Sequence, residues 1–250
     1  MINLSNKGAL LIGGKRIGRI IANRLAKEKI NVALIYHTSK TIAEETMKEI
    51  SPLTKRSCVI KADISNEIQV KNMFSVAYKT LKDISFVINL ASTFYRTPYN
   101  QLNAQAWDNS MNFAKGNYLV CLEASKYMME NNRKTKGHII TFGDWAALNT
   151  PYQNYLPYLT AKASIDFMTR VFATELSKHN ILVNSIAPGP TIQPLEYDQK
   201  AWIEKVIKTT PLMQESSVDE ISEFIITLLK SETITGETIK IDSGSHLRYG

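Results

Sequence analysis

The sequence predicts an α/β fold, a doubly wound parallel sheet of seven strands with helices on both faces. Three observations carry that expectation. Short apolar runs alternate along the chain with longer segments of helical periodicity, the alternation that builds βαβ units. Every pair of successive strand-like runs is separated by a helical pattern, which parallel neighbours require for their crossover. Finally, 250 residues with 44% hydrophobic content can bury one large core, so a single domain spanning 1–250 is expected.

The strands are expected at Ala9–Ile12, Val32–Tyr36, Ser57–Lys61, Phe86–Asn89, His138–Phe142, Leu182–Ile186 and Thr238–Ile241. Each is a short apolar run bounded by polar or turn-forming residues. The helices between them fall at Ile17–Lys27, Thr41–Ile50, Glu67–Leu81, Gln105–Glu130, Tyr155–His179 and Val218–Leu229, several with Asn, Ser or Asp near the start as a cap. Between Ala187 and Met213 no strand is predicted; Pro188, Gly189, Pro190 and Pro194 precede a helical patch over Trp202–Ile207. So long an excursion inside one domain reads as a substrate lid over roughly 189–213. It follows a strand, which puts it at the carboxyl edge of the sheet, where ligands bind.

The formal charge is +7, but the basic residues are interleaved with 23 acidic ones and never form a block of five or six. That pattern argues against nucleic acid and for attraction of small anions, phosphate-bearing cofactors among them. Two cysteines, Cys58 and Cys121, are too few for a disulfide framework or a thiolate metal site, and no metal is expected. With no apolar run long enough to span a bilayer and no leader-like start, no membrane partner and a cytoplasmic location are expected.

The first strand runs into Gly13-Gly14-Lys15-Arg16-Ile17-Gly18 and then a helix, the Rossmann-type context for a pyrophosphate at a helix N-terminus. At the end of the second strand a protein that binds NAD usually carries a carboxylate for the ribose 2'-hydroxyl. Here the chain reads Tyr36-His37-Thr38-Ser39-Lys40; hydroxyls, an imidazole and an ammonium suit a 2'-phosphate, so NADPH is the expected cofactor. Asp63, after the third strand, suits either the adenine amino group or the cap of the next helix. Tyr158 and Lys162 are four residues apart and share one helix face. An ammonium beside a phenol favours the phenolate, so the pair is expected to pass a proton near neutral pH.

In their order and spacing these pieces resemble the short-chain dehydrogenase/reductase family over essentially the whole chain. The matching residues are the glycine turn, Asp63, Asn89 to Ala91, Asn112, Tyr158 with Lys162, Pro188-Gly189, and Ile234-Thr235-Gly236 leading to Asp242-Ser243-Gly244. Within that family the chain is most similar to the pteridine reductases, including bacterial dihydromonapterin reductases. The telling stretches are Lys15 to Arg19, Tyr36 to Ser39, Asn89 to Tyr95, Asp144 where alcohol-type members have Ser, and Asp242 to Arg248.

The resemblance implies NADPH-dependent reduction of a dihydropterin, with Asp144, Tyr158, Lys162 and Asn112 as the catalytic set and Asn112 holding a water in the proton path. It implies cofactor contacts at Gly13, Lys15, Arg16, Ile17, Gly18, Tyr36, His37, Thr38, Ser39, Asp63, Ile64, Asn89, Ala91, Ser92, Pro188, Gly189 and Thr191. Substrate contacts are implied at Arg16, Ser92, Phe94, Asp144 and Tyr158, with Phe94 stacking the pterin. A homotetramer is implied, held by the helices at Gln105–Glu130 and Tyr155–His179 and by the C-terminal segment, with Arg248 reaching toward a neighbour's pocket.

Three departures stand out. Gly13 and Gly18 are five apart rather than six, and Leu90 replaces a second Asn after Asn89. Asp144 and Tyr158 are separated by 14 positions, one more than usual, so their loop must bulge if the two are to meet. A generalist carbonyl or 3-oxoacyl reductase is the alternative enzyme, which Asp144 argues against. A catalytically silent NADPH-sensing scaffold is the non-enzyme alternative, and the presence of both Tyr158 and Lys162 weighs against it.

Overall fold

A computed structural model describes residues 1–13, 15–147, 150–193 and 198–247, with the Arg16 side chain left aside. Seven strands form one parallel sheet: β1 (Gly8–Ile12), β2 (Asn31–Tyr36), β3 (Cys58–Lys61), β4 (Phe86–Asn89), β5 (Gly137–Phe142), β6 (Ile181–Pro188) and β7 (Thr238–Ile241). Between them run α1 (Lys15–Lys27), α2 (Lys40–Ile50), α3 (Glu67–Leu81), α4 (Ala104–Met129), α5 (Leu156–Ser177), α6 (Gln199–Lys205) and α7 (Val218–Lys230). Their order in the sheet is β3-β2-β1-β4-β5-β6-β7, every pair parallel. Each expected strand and helix is present, with ends shifted by a few residues.

Strand alternation sorts the core into two layers. Leu10, Ile12, Ala33, Ile35 and Val87 face one way and pack under residues of α3, α4 and α5 such as Phe74, Val120 and Leu176. Their neighbours Ala9, Leu11, Val32, Leu34 and Ile88 face the other way, against Ile21 and Leu25 of α1 and Ile225 and Leu229 of α7. Burying both faces is what a parallel sheet with crossover helices demands.

Chain order reverses between β1 and β4, so a crevice opens at their carboxyl ends, the switch point at which doubly wound sheets bind ligands. Ile12 pairs with both Ile35 and Asn89 there. Gly13, the next residue, has φ +73°, and a Cβ would lie 3.0 Å from Ala91 Cα. Glycine is needed at this position for the turn itself as well as for the open cleft. At the far side Gly189 follows β6 so closely over β7 that a Cβ would sit 2.5 Å from Asp242 Cα.

The expected lid is partly ordered by its own contacts. Asp198 caps α6 through Ala201 N–H, buried Trp202 donates to Glu215, and Leu212 N–H donates to Ser243 carbonyl. The helical patch therefore begins at Gln199, three residues before the expected start.

Candidate active site

A cavity of about 850 Å3 runs along the carboxyl edge from the glycine turn to α4, within the size range of cofactor sites. Gly13, Lys15 and Gly18 line one end, with Arg19 beside them. The N-terminus of α1 therefore opens onto the cavity and offers amide donors and a partial positive charge. Helix α1 begins at Lys15 in spite of the short turn. Ile17 is half-buried and packs against the core beneath, outside the cavity lining. Gly14 and the Arg16 side chain lie outside the described residues.

Tyr36, His37, Thr38 and Ser39 line the cavity beside Ala43 and Thr46 of α2. None of these is a carboxylate. Asp63 and Ile64 form the adjoining wall. Burial alone would raise the Asp63 pKa, but the Ser65 hydroxyl and amide, with the His37 and Lys115 charges, bring it below its ordinary value. The helix cap considered for Asp63 falls instead to Asn66, which accepts from Gln69 N–H.

Ala91, Ser92 and Phe94 continue the lining after β4. Asn89 lies behind them and is buried: its amide donates to Asn117 and its carbonyl accepts from Ala91 N–H. It braces the strand end rather than facing the cavity. Pro188, Gly189 and Thr191 stand at the β6 end, outside the cavity lining. Leu90 is buried in the α1/α7 core layer, so its replacement of a polar residue is a packing change.

Asp144, Tyr158 and Lys162 meet behind the inner end of this cavity. Tyr158 hydroxyl donates to Asp144 Oδ2 at 2.7 Å, so the 14-residue interval does not keep the two apart. Ala146 N–H donates to the other carboxylate oxygen at 2.9 Å, and Tyr152 hydroxyl donates to Oδ2 at 3.1 Å. Phe94 and Phe113 both line the cavity and both touch Tyr158, at ring separations of 5.0 and 6.2 Å. They stand between the cavity and Tyr158.

Lys162 stands beside Tyr158: its ammonium donates to Phe142 carbonyl at 2.7 Å and lies 5.8 Å from the ring centres of Phe113 and Tyr158. Burial lowers its pKa to about 8, against the pull of Asp144. One expectation needs correction here: the phenol is not lowered toward neutrality. Burial first, then the Asp144 carboxylate and Tyr152, hold Tyr158 well above its ordinary value of 10. A buried phenol beside a carboxylate keeps its proton.

Asn112 lines the cavity rim but is exposed on α4, with no bond to Tyr158 or Lys162 among those described. The α4 side chain facing Lys162 is its neighbour Phe113. Phe94 stacks on Tyr155 at 4.6 Å and meets Tyr158 edge-on. The sequence reading leaves Tyr152 and Phe113 out of the site. The available signal was three tyrosines spaced three apart, at 152, 155 and 158.

Residues 14–246 match the family model described as enoyl-(acyl carrier protein) reductase. The chain belongs to the short-chain dehydrogenase/reductase family and is an oxidoreductase of that class. It is similar to an uncharacterized oxidoreductase, YgfF, of Escherichia coli (29% identity over 94% of this chain and 98% of the other). Glucose 1-dehydrogenase 2 of Bacillus subtilis is 26% identical over 98% of this chain and 96% of its own length. Among solved structures it resembles FolM alternative dihydrofolate reductase 1 of Brucella canis, complexed with NADP. That match has a TM-score of 0.86 and 25% identity, covering 99% of this chain and 97% of the other.

Proposed function

We propose that the protein is an NADPH-dependent reductase of a flat C=N substrate of the dihydropterin class. The observation that carries this reading is the 2.7 Å bond from Tyr158 to Asp144 at the head of the cavity. A carboxylate there can bond the amino and ring N–H groups of a pterin, which a Ser hydroxyl answers less well.

NADPH supplies the hydride when bound, and the cavity fits it. The α1 N-terminus with Lys15 takes the pyrophosphate, His37, Thr38 and Ser39 take the 2'-phosphate, and Asp63 and Ile64 flank the adenine. Ala91 and Ser92 border the cofactor's inner half, and Pro188, Gly189 and Thr191 close over it from β6. Lys162, one helical turn from Tyr158, would hold the nicotinamide ribose. Phe94 leaves Tyr155 to cover the flat ring, Ser92 contacts the substrate, and Tyr158 gives the proton. Asn112 at the rim orders water.

The Brucella protein, named a dihydrofolate reductase and complexed with NADP, supports both the cofactor and the C=N chemistry. A second reading, reduction of a ketone carbonyl as by a generalist carbonyl or 3-oxoacyl reductase, is favoured by the names of other relatives, glucose 1-dehydrogenase 2 among them. NADPH oxidation measured with dihydrobiopterin, dihydromonapterin, dihydrofolate and a simple ketone decides between them. Turnover of a pterin above the ketone is expected; turnover of the ketone alone establishes the second reading.

The assembly belongs to the same proposal. Trp107 and Tyr118 of α4 and Phe167 and Val171 of α5 are exposed, beside a second cavity of about 600 Å3 between the two helices. Pairing of this face across a two-fold axis, and of the C-terminal segments across another, would make the homotetramer. Arg248 lies outside the described residues.

A further inference from the structure

We infer that Tyr152 is a positioning residue for the reduction, returning a proton to Tyr158 through Asp144 Oδ2. This rests on the reading of Tyr158 as the proton donor, whichever substrate class is reduced.

Three observations carry it. Both phenols donate to the same carboxylate oxygen, at 2.7 Å from Tyr158 and 3.1 Å from Tyr152, while Ala146 N–H fixes the other oxygen at 2.9 Å. Asp144 is thus held with Oδ2 between the two hydroxyls. Tyr158 is 6% exposed and Lys162 4% exposed, with the ammonium turned onto Phe142 carbonyl and boxed by the Phe113 and Tyr158 rings. Tyr152 is less buried than either, against Trp145 at 5.9 Å and Tyr155 at 5.0 Å.

The physical need is specific. When Tyr158 gives its proton to the substrate heteroatom, a phenolate is left beside a carboxylate, and two like charges at that distance are costly. The structure offers one concerted remedy. As the substrate heteroatom takes the Tyr158 proton, Tyr152 passes its own to Asp144 Oδ2, Asp144 passes one to Tyr158, and Tyr152 takes one from water. The cluster returns to its starting charge, and the substrate has gained a hydride from NADPH and one solvent proton.

The test uses the full chain with NADPH and whichever of the dihydropterins or the ketone is turned over. Tyr152→Phe should lower kcat by about a hundredfold, the low end of what a lost proton-transfer partner costs, with KM little changed. The solvent deuterium isotope effect on kcat should rise, and Tyr152→His, which can carry a proton, should recover part of the loss. In the unaltered enzyme a plot of kcat against deuterium fraction should bow, because several protons move together. A straight plot overturns the relay even if the variant fails to fold. Unchanged kcat and isotope effect in Tyr152→Phe also overturn it, showing that water reaches the half-exposed Asp144 directly. Tyr158→Phe is run beside it: if that variant keeps its kcat, the reading of the site itself is wrong, and the relay falls with it.

Discussion

Tyr158 sits where a phenol is least inclined to ionise, sealed by Phe94 and Phe113 and donating to a carboxylate. In the proposed reduction such a group would be the proton donor, its acceptor created when hydride reaches the substrate and leaves its heteroatom basic. Replacing Tyr158 with Phe should therefore lower kcat by about 10²- to 10⁴-fold, the usual share of general acid catalysis, while NADPH still quenches protein fluorescence on binding. Asp144→Ser removes the partner of two phenols. Pterin kcat/KM should fall much more than NADPH affinity; equal pterin turnover in that variant would mean that the carboxylate does not read the substrate.

Cofactor choice is decided at the level of an element, the β2–α2 turn. Its residues offer hydroxyls and an imidazole and no acid, and α2 opens with Lys40. A carboxylate would repel a 2'-phosphate and bond a 2'-hydroxyl, so its lack here should make kcat/KM higher with NADPH than with NADH. Equal values would sink this assignment. The lid element follows another logic. Trp202 bonds Glu215 within it, Leu212 N–H ties its far end to Ser243 after β7, and Ser216 N–H holds its near end at Pro190 carbonyl.

For the molecule as a whole, β5 holds a buried basic group that sets an acid limit on stability. His138 is 1% exposed beside Phe86, neither ring nitrogen has a hydrogen-bond partner among the described residues, and burial lowers its pKa from 6.5 to about 4. The unfolded chain thus binds a proton between these values that the folded chain refuses. The stabilisation is complete above pH 6.5 and about 3 kcal/mol of it is lost as pH falls to 4, by proton linkage. Urea midpoints of the protein and of His138→Leu across that window test this. The variant should be less acid-sensitive, and parallel curves would exclude the histidine as the cause. Sedimentation addresses assembly: a tetramer is expected from the apolar α4/α5 face, and a fully active monomer would show that no neighbouring chain is required.

The sequence by itself determined the order of seven strands and their crossover helices, the glycine turn, the acid-free β2 end and the Tyr158/Lys162 pair. These depend on local periodicity and on single residues whose conformational or hydrogen-bonding character is fixed wherever they stand. Tertiary structure alone decided which groups meet. That Asp144 reaches Tyr158 across 14 positions, that Tyr152 joins the same oxygen, and that Lys162 turns to Phe142 all depend on how a loop closes over packed rings. One residue of helical register puts Phe113 rather than Asn112 toward Lys162, because a step of one on a helix turns a side chain by about 100°. The same packing raised the phenol that the bare Tyr–Lys spacing implied would be lowered, since burial and a neighbouring carboxylate outweigh an ammonium engaged elsewhere.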